Sequence, residues 1–421
     1  MRETEKHRRY FVALKPKTPI ATGTGMDAQS HRVSQKHVPG SVLRGSLGTK
    51  LYAERGKRFS PFARQTREGD LDLDRVFGRG GVRFGPLYPA WDEDDFGERL
   101  HKRVLDAIVI PQTARTCKNS PGLKGGREHH TTIDIAVSGQ RESTDGLRCR
   151  YPGCDGRMER VRGYAVMSDV VPGRWLKVEP EVRRRTRVGL NRQSETAEEG
   201  ILHSIDLVQP FLPDPLRQRG TGRPQLVFAG FWSMTPEQRD ILTTVLEPFR
   251  EGDGFSIAVG AGQSRGLGQG TLWIADSPES ETAPFQKLVT VDGRRLFIIT
   301  ARSPVIVLSD SGIPGMVLTP DLIRRYYPDA PSFELRQPHC FVEREVASGW
   351  SGMWGLPKPV CGCIAAGSVF VYETDAEESD LVPFFSAITA AGLGERLEEG
   401  FGQVDVNHAF HLDLALKGER E

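Results

Sequence analysis

Two short stretches carry the residues most able to do chemistry. The first is GAGQSRGLGQG at 260–270, built around Gly260, Gly262, Gly266, Gly268 and Gly270 and set between two apolar runs. A Walker A loop needs Lys followed by Ser or Thr after its last glycine, so that an ammonium and a hydroxyl reach phosphates and magnesium. None follows here. A dinucleotide fingerprint needs a third glycine where Arg265 stands, and a helix where the β-prone TLWIAD stands. What remains is a strand-to-strand loop. Gln263, Ser264, Arg265 and Gly266 at its tip can lay backbone amides and one guanidinium along a sugar-phosphate chain. The plain alternative is a tight hairpin whose glycines only supply positive φ.

The second stretch is CRYPGC, with Cys149 and Cys154 on either side of a Pro-Gly turn, preceded by Cys117 in RTCKNSPG and by His129-His130 in GREHH. Two thiolates so placed can share a tetrahedral zinc, and Cys117 with one histidine, taken as His130, would complete it. A closed Cys₃His set leaves no position for a substrate water, so the zinc expected here is structural. Cys361 and Cys363, one residue apart before an apolar strand, read as buried free thiols.

Further cations and hydroxyls surround these stretches. VRRRTRVGLNRQ places Arg183, Arg184, Arg185, Arg187 and Arg192 close together, dense enough to follow a phosphate backbone. As a strand, it would put Arg185, Arg187 and Gly189 on one face, with Asn191 continuing that face. The acids Glu195, Glu198 and Glu199 that follow read as ion-pair partners or a helix's first turn. In VPGSVLRGSLG, Ser41 is expected to cap a helix and Arg44 to lie one turn on, both suited to a phosphate or a splayed base. Trp350 and Trp354 flank SGM in a glycine- and proline-rich loop. Their side chains are expected to pack, with Lys358 as the RNA contact of that loop.

The elements that would position these groups follow from the pattern. Glycine and proline, 46 and 28 of 421 residues, exceed the roughly 12% of average usage, so irregular loops should be many and long helices few. A chain of this length usually makes two domains. Tyr10–Leu14 reads as a strand, followed by a Pro/Gly loop and a helix with Val42, Leu43, Leu47 and Leu51 near one face. The order recurs: strand 295–300, a turn, a short helix from Thr319-Pro320, then helical PFFSAITAAG, the loop GLGERLEEGFG with Arg396, and the strand QVDVN. Two related units are therefore expected, about 1–278 and 285–421, joined by Ser277–Pro284. The region of about 95–200 reads as an insertion in the first.

Net charge is +1, but its distribution is lopsided: residues 141–192 carry thirteen Lys and Arg against seven Asp and Glu, and residues 371–421 three against twelve. No apolar run approaches the ~20 residues of a membrane span, and the N-terminus lacks a signal peptide's apolar core. A cytoplasmic location is expected, with no disulfide framework.

Four stretches, VPGSVLRGSLG (38–48), VRFGPLYP (82–89), TRVGLNRQSETAEEGILHSID (186–206) and SGWSGMWGLPKPVCGCIAAGSVFVYE (348–373), resemble, with the two glycine loops, the RAMP proteins of CRISPR-Cas systems. Within these the chain is similar to the large double-domain RAMP subunit of type III-D effector complexes. The resemblance implies an α+β fold of two ferredoxin-like (RRM-like) domains with a Cys-containing insertion in the first. It also implies a non-catalytic subunit that binds guide RNA near its 5′ tag. The implied partners are RAMP backbone subunits, the large polymerase-like subunit and, through the complex, target nucleic acid. The rival reading is an endoribonuclease using His31, His37 or His203 as general acid or base; a third is a scaffold with no RNA contact.

Overall fold

The computed structural model describes residues 7–26, 31–55, 71–92, 107–123, 130, 132–136, 147–167, 175–190, 193–213, 225–275, 288–291, 293–351 and 355–414. Asn191, Arg192, His129, Trp354 and the expected linker lie outside the described residues.

The strand Arg8–Pro16 lies between two antiparallel neighbours, Gln225–Met234 and Gln269–Ile274, in a six-stranded sheet completed by Arg250–Glu251, Gly254–Ala258 and Tyr88–Asp92. Its alternation separates two apolar faces. Tyr10, Val12 and Leu14 enter the main core, whereas Ala13 packs with Val227 and Trp273 on the other face. Helix Gly40–Glu54 covers the main face with Leu43, Leu47 and Leu51, spaced by one turn. Helix Pro236–Leu246 adds Leu242, Val245 and Leu246 to the same core; Thr235 and Gln238 close a capping box at its start, with Pro236 in the first turn.

A second antiparallel sheet is built from the later part of the chain around Arg294–Ala301, which pairs with Val369–Glu373 and Val404–Val406. Phe297, Ile299 and Ala301 meet Leu381, Phe384, Phe385 and Ile388 of helix Glu378–Ala391 in a core of their own. No sheet among the described residues draws strands from both sets.

The two sets repeat one another bond for bond at their glycine loops. Gly268 N–H donates to Pro19 O and Ala261 N–H to Ala21 O, at 2.9 and 2.8 Å; Gly402 N–H donates to Pro304 O and Glu395 N–H to Ile306 O, both at 2.8 Å. Each loop holds a single 3₁₀ turn, Gln263–Arg265 or Leu397–Glu399, bracketed by left-handed residues: Gly262 and Gly266 in one, Arg396 and Gly400 in the other. Each is followed by a strand pairing with a central strand of its set, Arg8–Pro16 or Arg294–Ala301.

Their surroundings differ. In the second loop, a Cβ at Gly400 would lie 2.2 Å from the Phe84 carbonyl and 3.0 Å from Gly40 Cα, so this loop is pressed onto the start of helix Gly40–Glu54. The first loop is open: Gln263 to Gly266 are exposed.

Two local expectations are corrected. Pro39, not Ser41, is the N-cap of Gly40–Glu54, with extended backbone and no side-chain cap. A Cβ at residue 40 would sit 1.6 Å from the Phe84 carbonyl, so the glycine enters the helix and the start moves back two residues. The segment containing Glu198 and Glu199 begins the strand Ala197–Val208 rather than a helix. Long-range pairing with Val182–Leu190 overrides its local preference.

The region between about 95 and 200 divides. Its last part, Val182–Leu190, joins Ala197–Val208 and the strands His31–Ser34 and Gly23–Met26 in a four-stranded sheet. Its earlier part makes two three-stranded sheets, one of Ala107–Val109, Tyr164–Met167 and Trp175–Val178, the other of Ala114–Cys117, Ile133–Asp134 and Met158–Arg160. These are welded to the C-terminal segment. Phe410 enters their core, and the Trp175 indole N–H donates to Asp413 at 2.9 Å.

The two sets also meet through a buried charge cluster. Arg9 and Arg302 bind the two oxygens of Asp405 at 2.7 and 3.0 Å, and both guanidiniums lie over the Phe231 ring. Breaking one partner of such a cluster leaves a buried charge uncompensated. Among the described residues no helix is long and apolar enough to cross a membrane.

Candidate nucleic-acid interface

A groove of about 640 Å³ runs where the open glycine loop, the first helix and the arginine-bearing sheet converge. Its walls are Ser41, Val42, Gly45 and Ser46 from helix Gly40–Glu54, and Gly260 and Ala261 from the loop. Residues from Ala21–Gly23 and Arg32–Ser34, with Ile205 and Asp206, close the opposite side. The floor is held by Thr22, whose N–H donates to Ser34 Oγ at 2.9 Å and whose hydroxyl donates to the carbonyls of Gln35 and His37. Gln263 Nε2 donates to Ser46 Oγ at 3.3 Å and to Gly260 O at 3.0 Å, which ties the loop tip to the helix.

The cations split into two groups. Arg183 is paired with Glu181 and Arg184 with Asp206. Burial opposes ionisation of Asp206, but hydrogen bonds from His31 and Arg184 outweigh it and hold the carboxyl below its ordinary range. Arg185 and Arg187 share a strand face with Arg183 and alternate with Arg184, opposite Ile205 and His203, and Ile205 is a groove residue packed against Leu267 of the glycine loop. Directly opposed residues project to the same face, so Arg185 shares a face with Ile205 and Arg187 with His203. Among the described residues, Arg185, Arg187 and Arg265 carry no ion pair. Ser264, Arg265 and Gly266 lie exposed beside the groove.

Three expected contacts are placed elsewhere. Arg44 turns to the Phe77 carbonyl. Arg396 and Lys358 both bind the Glu399 carboxylate, at 2.7 Å each. Although burial resists it, these two cations hold the Glu399 carboxyl below its usual range. Arg396 also donates to the Ser348 carbonyl at 3.1 Å and lies over the Phe401 ring.

Trp350 is the residue that sequence reasoning assigned to the wrong role. Packing was expected, yet the side chain is 63% exposed and lines the groove, reaching it from the second set of elements. A short pair, Trp350–Ser351 with Leu356–Pro357, holds it out. The sequence signal was ambiguous because a tryptophan among glycines and prolines looks alike whether covered or bare. Gly45 was missed too; within the first helix it leaves an open patch of groove wall where a side chain would meet nothing within 4 Å.

Of the three histidines, His37 is half-buried between Tyr88 and Tyr164, its Nδ1 3.0 Å from the Tyr164 hydroxyl, and burial drives its pKa down to about 4. His31 Nε2 lies 2.9 Å from Asp206 Oδ1 at the groove, and His203 lies on the strand face shared with Arg187.

Apart from the groove, the donor atoms of Cys117, His130, Cys149 and Cys154 all lie within 4.8 Å of one another, a set that could hold a metal ion. Cys117 ends a strand; Cys149 and Cys154 come from the Pro-Gly turn, where Gly153 supplies φ 78°. The Cys117 and Cys154 sulfurs are 3.7 Å apart, and His130 Nδ1 is 3.2 and 3.3 Å from Cys117 and Cys149. Backbone N–H groups of Tyr151 and Gly156 donate to the Cys149 and Cys154 sulfurs. Tyr151 stacks on His130 at 4.2 Å, fixing the ring. Cys361 and Cys363 are free, the latter fully buried.

No protein-family profile matches the chain, and no curated protein does. Among solved structures, a type III-B Cmr-beta complex bound to cognate target RNA and AMPPnP contains a chain similar to this one. The TM-score is 0.41 at 10% identity, over 89% of this chain and 92% of that one. A chain of the apo Cmr-beta complex gives 0.29 at 12% identity, over 65% and 98%. A Cas6 product complex gives 0.27 at 13% identity, over 45% and 82%. At these scores and identities the likeness assigns neither fold family nor function.

Proposed function

We propose that the groove binds the backbone of single-stranded RNA and that the protein is the guide-RNA-holding, double-domain RAMP subunit of a type III-D effector complex. The observation that carries this reading is the convergence on one groove of an open glycine loop and helix hydroxyls, with three arginines that carry no ion pair among the described residues on the adjoining loop tip and strand. Each of those groups suits a phosphate. The sequence motifs supply the rest: the four RAMP-like stretches contribute the helix, the arginine strand, the Trp350 segment and the chain's internal junctions. In the complex the protein would hold the guide near its 5′ tag, with backbone subunits and the polymerase-like subunit as neighbours.

The role is non-catalytic. His31 is the histidine that favours a nuclease, because Asp206 could orient it at the groove. Against this, Asp206 is shared with Arg184, and among the described residues that line the groove there is no second acid–base group beside it. The Cys₃His cluster is read as structural zinc: zinc–sulfur bonds of about 2.3 Å put tetrahedral sulfurs about 3.8 Å apart, which matches the 3.7 Å between Cys117 and Cys154. The test of the function is to recover the RNA bound to the protein in its host and read its length and 5′ end.

A further inference from the structure

We propose that Trp350 is a stacking platform for one unpaired nucleobase of the bound RNA, presented across the groove by the second set of elements. The inference rests on the reading of the groove as an RNA site and goes beyond backbone contact to name where a base is held.

Three observations carry it. The indole is 63% exposed although it is the largest apolar group on the groove wall. Leaving such a ring bare forgoes burial worth one to a few kcal/mol, so a ligand face is the economical explanation. The same groove is lined by small side chains and glycine, Ser41, Gly45, Ser46, Gly260 and Ala261, leaving room for a flat ring. Arg265 is exposed at the tip of the loop that lines the groove, and Arg185 lies in register with the groove residue Ile205, two cations for the phosphates of a chain whose base turns inward.

The ring's mount is also built. Lys358 N–H donates to Gly349 O at 2.8 Å, Arg396 binds the Ser348 carbonyl, and both side chains converge on Glu399. Arg396 takes this place at φ 57°, where the equivalent position of the first loop has Gly262. A cation held at a conformation that disfavours side chains is thus used to fix the backbone next to Trp350. Arg396 and Lys358 are positioning residues for the indole, not phosphate contacts. The occupant is a base rather than a partner protein's side chain because the exposed Arg265 flanks the groove and its walls offer the hydroxyls of Ser41 and Ser46.

The test uses the full-length protein and three fluorescent ligands of equal length: unstructured single-stranded RNA, blunt double-stranded RNA, and an oligonucleotide lacking bases. Trp350→Ala should weaken the first by roughly 5- to 150-fold, the cost of losing one stacked base. Trp350→Phe should recover most of it. Neither should alter binding of the abasic ligand or the slope of affinity against salt, because no phosphate contact is removed. Arg396→Gly should match Trp350→Ala, and the pair together should be no worse than either alone. A slope made shallower by about one phosphate in Arg396→Gly would instead make it a direct contact and overturn the mount. Equal RNA affinity for wild type and Trp350→Ala, with Arg265→Ala impaired, would overturn the stacking while leaving the RNA groove standing. So would a Trp350→Ala protein that keeps its RNA but loses copurifying subunits, which would assign the ring to a protein. Wild-type protein that binds none of the ligands would end both readings.

Discussion

At the scale of single residues, burial decides which candidate groups are available for chemistry. His37 was a reasonable general base by type, but the fold encloses it between two tyrosines and lowers its pKa to about 4. In the unfolded chain it titrates near 6.5. Above that pH the imidazole is neutral in both states and costs nothing. As pH falls toward 4 the unfolded chain takes up the proton first, so stability is lost. The expected loss between pH 7 and pH 5 is about 2 kcal/mol. Denaturant unfolding of wild type and His37→Asn at the two pH values checks it: the variant's stability should change by about that much less. Trp350 shows the converse. Its type was legible, and its exposure was not, because exposure depends on a contact between two halves of the chain that no local pattern encodes.

Among the elements, the first helix shows how far sequence reaches. Leu43, Leu47 and Leu51 announced both the helix and its buried face. The helix start was misplaced because what fixes it is the Phe84 carbonyl against Gly40, a neighbour more than forty residues away. Gly45 lies on the opposite side of that helix, in open space beside the groove. Gly45→Ala should therefore stabilise the protein by roughly 0.5–1 kcal/mol. Gly45→Phe should keep the fold, yet fill the groove and weaken RNA binding at least tenfold. Thermal unfolding and RNA anisotropy on the same preparations separate the two effects. The cysteine cluster belongs to this scale as well. The Pro-Gly turn was readable as a two-thiolate knuckle, and the fold brings Cys117 and His130 to it from a strand and a distant loop. One equivalent of zinc per chain is expected by elemental analysis. Cys149→Ser should lose it and lower the melting temperature, with unchanged metal content counting against the cluster.

Across the whole molecule, one architecture is used twice for different ends. Both glycine loops make the same hydrogen bonds to the segment after their first strand, and the sequence showed this likeness through spacing rather than letters. Their fates diverge. The first loop stays open and lines the groove, while the second is sealed against Phe84 and Gly40 and carries Arg396 and Glu399 toward the Trp350 mount. Reading both loops as RNA contacts therefore overreached: equivalence of pattern does not carry equivalence of exposure. Joined by the Arg9–Asp405–Arg302 cluster, the two sets face the groove from both sides, so binding depends on the intact chain. The most direct measurement of this account is the RNA recovered with the tagged protein from its host, for wild type beside the Arg185→Ala, Arg187→Ala, Arg265→Ala triple variant. The account predicts short RNAs sharing one 5′ end with wild type and their loss, at unchanged melting temperature, with the variant. Equal recovery from both proteins, or no RNA with wild type, would contradict it.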